Sequence, residues 1–222
     1  MLRRAAPALL ALALAACGNL VPDGRAPAKP QLATPRPVAV SIEARQCLAE
    51  LNAAGARFSP VADRYYGAGC STVGTVSLAA LQGDQARFAL ANLGPVSCPL
   101  AETTAAWARY GVDRSARQVL GSALAKIETM GSYSCRDVAG SGRRSAHATA
   151  QAIDVAAFIL ADGRRVSVLS GWNEGSAQER RFLRLVHQSA CRRFGTVLGP
   201  DYNAAHKNHL HVEAGHAGGF CR

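Results

Sequence analysis

Ser145-Ala146-His147-Ala148-Thr149-Ala150-Gln151-Ala152-Ile153-Asp154 and His206-Lys207-Asn208-His209-Leu210-His211-Val212-Glu213 hold most of the reactive side chains of this chain. All six histidines lie from His147 onward, so the imidazole density belongs to one region. Two imidazoles and a carboxylate are the donor set of a catalytic zinc site, which keeps three protein ligands and leaves a position for water. Zinc lowers the pKa of such a water to roughly 7. His147 and Asp154 are seven positions apart. With His147 at the entry to a strand and Asp154 inside it, a turn brings both to one ion, and His211 supplies the third ligand. Residues two apart in a strand share a face, so His209 sits beside the same ion. There it can serve as a base, or stabilise an oxyanion once protonated. Glu213 is placed to hydrogen-bond a ligand histidine from outside.

Each residue also has a plainer reading. A single histidine is usually a surface or packed residue. Asp154 can cap a strand or pair with arginine, His209 can orient the strand, and Glu213 can be a surface carboxylate. His187 falls on a helix and His216 in a Gly-rich tail, away from the pattern.

The elements that must position these groups follow from periodicity. Ile153 to Leu160 and Val166 to Leu169 are β-prone, and Asp162-Gly163 between them is a hairpin signal. Ser176-Ala177-Gln178-Glu179 is a capping-box pattern. It opens a helix in which Phe182, Leu183, Leu185, Val186 and Ala190 form one buried face. Gly195 and Gly199-Pro200 end that region, and Leu210 to Glu213 is a short strand. Upstream, a helix is expected over Ile42 to Ala53, followed by a loop to residue 75, with Cys47 and Cys70 bracketing it as a possible staple. Residues 86–98 read as strand broken by Gly94-Pro95. Leu100 to Tyr110 reads as helix with Trp107 on its apolar side. Ala123 to Met130 fits either helix or strand.

The chain has 222 residues, enough for one domain with a core plus extensions. Aromatics are only 6% of the residues, which predicts a core of Ala, Val and Leu. Met1-Leu2-Arg3-Arg4 is a positive n-region, and Pro7 to Ala13 is an apolar stretch too short to span a bilayer. Leu14-Ala15-Ala16-Cys17 resembles a bacterial lipobox, so residues 1–16 are expected to be a signal peptide and Cys17 the acylated N-terminus. A plain signal peptide with an incidental cysteine is the alternative. Gly18, where a retained lipoprotein would carry Asp, favours the outer membrane with the domain facing the periplasm. Loss of residues 1–16 takes Arg3 and Arg4 from a formal charge of +10, leaving +8. Residues 17–40, with Pro22, Pro27, Pro30, Pro35 and Pro37, read as a tether. Globular sequence runs over 41–222.

Cys47, Cys70, Cys98, Cys135, Cys191 and Cys221 remain, an even number in an exported chain, and they imply three disulfides with 15 possible connectivities. Cysteine ligation of a structural metal is the weaker alternative, since no Cys-x-x-Cys pair exists. A basic envelope domain suits anionic partners such as peptidoglycan or lipid headgroups, and nucleic acid is a poor partner in that compartment.

The pattern Ser-x-His-x(6)-Asp followed by His-x-His resembles the metallopeptidase group of D-Ala-D-Ala carboxypeptidases and dipeptidases, penicillin-insensitive murein endopeptidases and the hedgehog signalling domain. A closer resemblance is to the extensin-like C-terminal family of bacterial proteins, over about residues 45–222. It rests on Ser132-Tyr133-Ser134-Cys135-Arg136, Ser145-x-His147-Ala148, Ala152-x-Asp154, Asp162-Gly163, Leu198-Gly199-Pro200-Asp201 and His206-x-x-His209-x-His211. The resemblance implies His147, Asp154 and His211 as ligands of one zinc ion and His209 as the active-site histidine. It implies His206 as a further histidine near the metal, against a place in a solvated loop, Arg136 as the holder of a substrate carboxylate or carbonyl, against a structural salt bridge, and Ser145 as support for the turn around His147. Ala150 stands where many relatives have glycine, which would strain it if the position needs positive φ. Some peptidase relatives use the Glu of a Glu-x-x-His as base, and here His-x-His takes that place.

The expected fold is α+β: a small central antiparallel sheet carrying the zinc site, flanked by helices and stapled by disulfides. The expected function is a lipid-anchored envelope zinc metallopeptidase that cuts peptidoglycan peptide bonds, of D,D-endopeptidase or D,D-carboxypeptidase type. The alternative is a non-catalytic zinc-containing module that binds peptidoglycan or a protein partner.

Overall fold

A computed structural model describes residues 41–222. The leader, Cys17 and the Pro-rich stretch lie outside the described residues. No described helix is long and apolar enough to cross a membrane.

Helix α1 (Ile42–Ala53) starts behind Ser41, whose hydroxyl accepts from the Ala44 amide at 3.1 Å. Strands β1 (Arg57–Pro60), β2 (Tyr65–Gly67) and β3 (Cys70–Ser71) occupy the stretch expected to be a loop. Strands β4 (Thr75–Gln82), β5 (Arg87–Ala91) and β6 (Val96–Ser97) follow, then helix α2 (Cys98–Trp107). Helix α2 runs on into π-helical turns at Ala108–Asp113 and Ala116–Leu120. The ambiguous segment is strand β7 (Leu124–Gly131). After a 3-10 turn at Ala146–Thr149 come β8 (Ala152–Leu160), β9 (Arg165–Ser167), a short helix α3 (Val168–Gly171) and helix α4 (Ala177–Cys191). Strands β10 (Thr196–Leu198), β11 (Leu210–Glu213) and β12 (Phe220–Cys221) complete the chain, with a 3-10 turn at Ala204–His206.

The fold is α+β, but the sheet is neither small nor purely antiparallel. Ten strands form it, in the order β1-β4-β5-β7-β8-β11-β10-β12, with β6 beside β4 and β9 beside β8. The connection from β5 to β7 passes through α2 and the π-helical turns, and such a helical crossover returns the chain parallel to the strand it left. Strands β10 and β12 also pair in parallel. The sheet grows beyond expectation because β1, β4 and β5 add a meander at one side, with Val76, Leu78, Leu81 and Phe88 buried in the core.

Three disulfides staple the fold: Cys47–Cys98, Cys70–Cys135 and Cys191–Cys221. The local Cys47–Cys70 staple is thereby corrected. Cys47 faces inward from α1 and meets the first residue of α2, whereas Cys70 lies on the separate β2–β3 hairpin.

The core is more aromatic than the composition suggests, because the few rings are concentrated there. Trp107, Phe158 and Phe194 meet edge to face, with centroids 6.3 and 5.8 Å from Trp107, and Phe182 packs on Phe158 at 5.3 Å. The Trp107 indole donates to the Val186 carbonyl at 3.1 Å, which satisfies its polar end. Helix α4 begins with the expected capping box and buries Phe182, Leu183, Val186 and Ala190, while Leu185 is only half-buried. The π-helical turn approaches it closely at Gly111, where an added Cβ would overlap the Ser189 hydroxyl.

One irregularity governs the site. Glu128 pairs with Ala157 but Thr129 pairs with Val155, so Ala156 is an extra residue in β8. This bulge reverses the alternation of the strand. Phe158, Val155 and Ile153 all reach the core, and Asp154 turns to the opposite face.

Candidate metal centre

His147 is held by a local turn. The Ser145 hydroxyl accepts from the His147 amide at 3.4 Å, which supports the 3-10 turn as the resemblance implied. Ala150 closes that turn with φ of 55°, the left-handed value that glycine would adopt more easily. Its amide donates to the His147 carbonyl at 3.2 Å, and Gln151 N to Ala146 O at 2.9 Å, before the chain enters β8.

Asp154 on β8 stands directly opposite His211 on β11. Leu210 and Val212 face the core, so His211 and Glu213 share the other face with Asp154. Three atoms converge there. His147 Nε2 lies 3.2 Å from Asp154 Oδ2 and 3.3 Å from His211 Nδ1, and His211 Nδ1 lies 2.8 Å from Asp154 Oδ1. These donor atoms all fall within 4.8 Å of one another.

The outer nitrogens of both rings are occupied. His147 Nδ1 donates to the Ser132 carbonyl at 3.0 Å, and His211 Nε2 donates to Glu213 Oε1 at 3.0 Å. An acceptor on the outer nitrogen leaves the inner nitrogen to offer a lone pair, the arrangement in which imidazoles bind metals. The donor set and its outer hydrogen bonds therefore fit a zinc ion held by His147, Asp154 and His211. Two other clusters of ligand-type residues occur among the described residues, His187 with Cys191 and Cys221, and Cys47 with Cys98 and Glu102. Each contains a disulfide, whose sulfurs are not thiolates.

The charges of these groups are coupled. Burial opposes charge on Asp154, yet the hydrogen bonds from His147 and His211 outweigh it and hold the carboxyl well below the usual range. Burial also opposes charge on His211, but Asp154 and Glu213 raise it to about 9. Glu213 is lowered by its bond to His211.

His209 Nε2 lies 3.5 Å from Asp154 Oδ1, on the same side as His211, as expected. Burial pushes His209 down, partly offset by the Asp154 charge. His206 joins the cluster: its ring centroid is 5.1 Å from His209 and 5.8 Å from His211. Burial, then the His209 charge, lowers it to about 4.

Arg136 is exposed on the loop between β7 and the 3-10 turn, and its charge lowers both His206 and His209. Its guanidinium makes no ion pair among the described residues. His187 packs on Trp172 and donates to the Arg222 carbonyl at 3.2 Å, a structural role.

Several contributors had no reading in the sequence. Asn203 Oδ1 accepts from His206 Nδ1 at 2.7 Å and Asn208 Oδ1 from His209 Nδ1 at 2.9 Å, leaving each Nε2 unprotonated. Asparagine close to each histidine is the signal that could have found them. Tyr202 packs its ring on His206 at 5.5 Å. The Ser132 carbonyl is a backbone group, for which side-chain identity carries no signal.

No curated protein and no solved structure matches the chain. A family model described as extensin-like protein C-terminus matches residues 45–222. That match takes in the sheet, the three disulfides and every residue of the centre. The chain belongs to the extensin-like C-terminal family.

Proposed function

We propose that this protein is a zinc-dependent peptidase of the bacterial cell envelope, related to the D-Ala-D-Ala metallopeptidase group, acting on peptide bonds of peptidoglycan next to D-alanine. The observation that carries it is the convergence of His147 Nε2, His211 Nδ1 and an Asp154 carboxylate oxygen, with both outer ring nitrogens already donating to acceptors. Zinc bound there supplies a Lewis acid that activates water near neutral pH and polarises a peptide carbonyl.

The chain's own groups divide the remaining work. His209, kept neutral by burial with its Nε2 toward Asp154, is the group that takes and returns a proton. Asn208 holds its tautomer. Arg136, unpaired among the described residues, offers a planar fork of donors to a substrate carboxylate or carbonyl. His206 lines the site beside His209. Lipidation at Cys17 and residence at the outer membrane, facing the periplasm, would bring this centre to the wall.

Purified chain should hold about one zinc. Incubated with cell-wall sacculi, it should release new muropeptides whose masses and ends identify the bond cut. Stoichiometric zinc with no change in any muropeptide would instead favour a zinc-containing module that binds peptidoglycan or a protein partner.

A further inference from the structure

The β2–β3 hairpin forms a two-stranded sheet apart from the main one. An isolated hairpin of this size is marginally stable in water. Its ties lead to His147. Cys70 on β3 is bonded to Cys135, and β3 packs against the 3-10 turn that carries His147. Tyr66 on β2 packs on Tyr133, with ring centroids 5.4 Å apart.

Tyr133 and Cys135 belong to the segment 132–136, which grips His147 from outside. The Ser132 carbonyl accepts from His147 Nδ1 at 3.0 Å. The Ser134 amide donates to the His147 carbonyl at 3.1 Å, and the Arg136 carbonyl accepts from Ser145 N at 3.1 Å. Between Gly131 and Ala146 the chain forms no named helix or strand, only an isolated bridge of Asp137 with Arg144. Ser132 is anchored by its own hydroxyl, which donates to the Pro95 carbonyl at 2.8 Å, and the residues that follow it are held by the hairpin through Tyr133 and Cys135.

We propose that the β2–β3 hairpin, through the Cys70–Cys135 disulfide and the Tyr66–Tyr133 contact, is a clamp that positions His147 and thereby sets the metal affinity of the centre. The proposal rests on the metal reading given above. Outer hydrogen bonds orient a ligand imidazole and raise its basicity, and their loss typically weakens metal binding 10–100-fold. Cys70, Cys135, Tyr66 and Tyr133 are positioning residues, since they act through Ser132 and Ser134.

The Cys47–Cys98 disulfide supplies a control. It spans 51 residues against 65 for Cys70–Cys135, so both cross-links restrict the unfolded chain to a similar extent. It joins α1 to α2 rather than holding the segment 132–136.

The test measures zinc affinity of the full chain by competition with a chromophoric chelator. Cys70→Ser/Cys135→Ser should bind zinc at least about tenfold more weakly than the parent. Cys47→Ser/Cys98→Ser should melt at a lower temperature yet keep the parent affinity. Parent-like affinity in Cys70→Ser/Cys135→Ser, or an equal loss in both variants, overturns the clamp. If the first variant does not fold, Tyr66→Ala replaces it: weaker zinc binding at an unchanged melting temperature supports the clamp, and unchanged affinity overturns it. A parent chain that takes up no zinc overturns the metal reading, and the clamp with it.

Discussion

His211 Nδ1 lies 2.8 Å from Asp154 Oδ1, and the two residues stand directly opposite each other on β11 and β8. A carboxylate and two ring nitrogens packed this closely, away from the hydrophobic core, need a shared positive charge. Asp154→Asn keeps the shape and removes the anion. It should abolish stoichiometric zinc while leaving the far-ultraviolet circular dichroism unchanged. Glu213→Gln, which weakens only the outer bond to His211, should retain zinc with about tenfold lower affinity. Dialysis followed by elemental analysis and chelator competition checks both.

Without metal, the shared charge is a proton, which sets the pH dependence. His211 is raised from 6.5 to about 9, so its contribution to stability is complete below 6.5 and disappears as pH rises through about 9. His206 is lowered from 6.5 to about 4, so the folded state refuses a proton that the unfolded chain accepts, and stability falls as pH drops through that interval. His209 acts in the same direction. Asp154, lowered from 3.8, adds a further loss in more acidic solution. The metal-free protein should therefore be most stable near pH 6.5, measured by urea unfolding across pH. Zinc uptake at pH 7.5 should release about one proton, read by calorimetry in buffers of different ionisation enthalpy.

His209 and His206 should separate by function. His209→Ala should lower kcat on muropeptides about 10²–10⁴-fold, the usual contribution of a general acid–base group, with zinc content unchanged. His206→Ala should cost far less in kcat, because Tyr202 and Asn203 hold that ring at the rim. Equal losses in the two variants would refute this division of roles.

Ala150 holds a left-handed backbone at φ of 55°. A residue with a Cβ is about 1–2 kcal/mol less stable there than in a right-handed conformation, a penalty glycine lacks. Glycine loses more chain entropy on folding, which offsets part of the relief. Ala150→Gly should raise the melting temperature by a few degrees without changing zinc affinity. A fall in melting temperature would show that packing of the buried Ala150 methyl outweighs the backbone strain.

Much of the site was readable because its signals are local. The eight residues from His147 to Asp154 span one turn and one strand entry, and His209-x-His211 needs only a period of two. The capping box at Ser176 and the turn at Asp162-Gly163 are likewise short-range, and both are present. Segment 54–75 failed as a loop because β1 takes its stability from Phe58 packing against the core and from pairing with β4, neither visible in a few polar residues. Val168 and Leu169 were expected to extend a strand, but the chain turns into α3, capped by Ser167.

Local sequence carries the candidate donor residues, the caps and turns, and an even number of cysteines. Tertiary structure decided which cysteines pair, how far the sheet extends and which way Asp154 faces. Simple alternation from Phe158 would send Asp154 into the core, and the bulge at Ala156 reverses it. Bulges, cross-links and outer hydrogen bonds join residues distant in sequence. Their energies depend on partners that only the folded chain brings together.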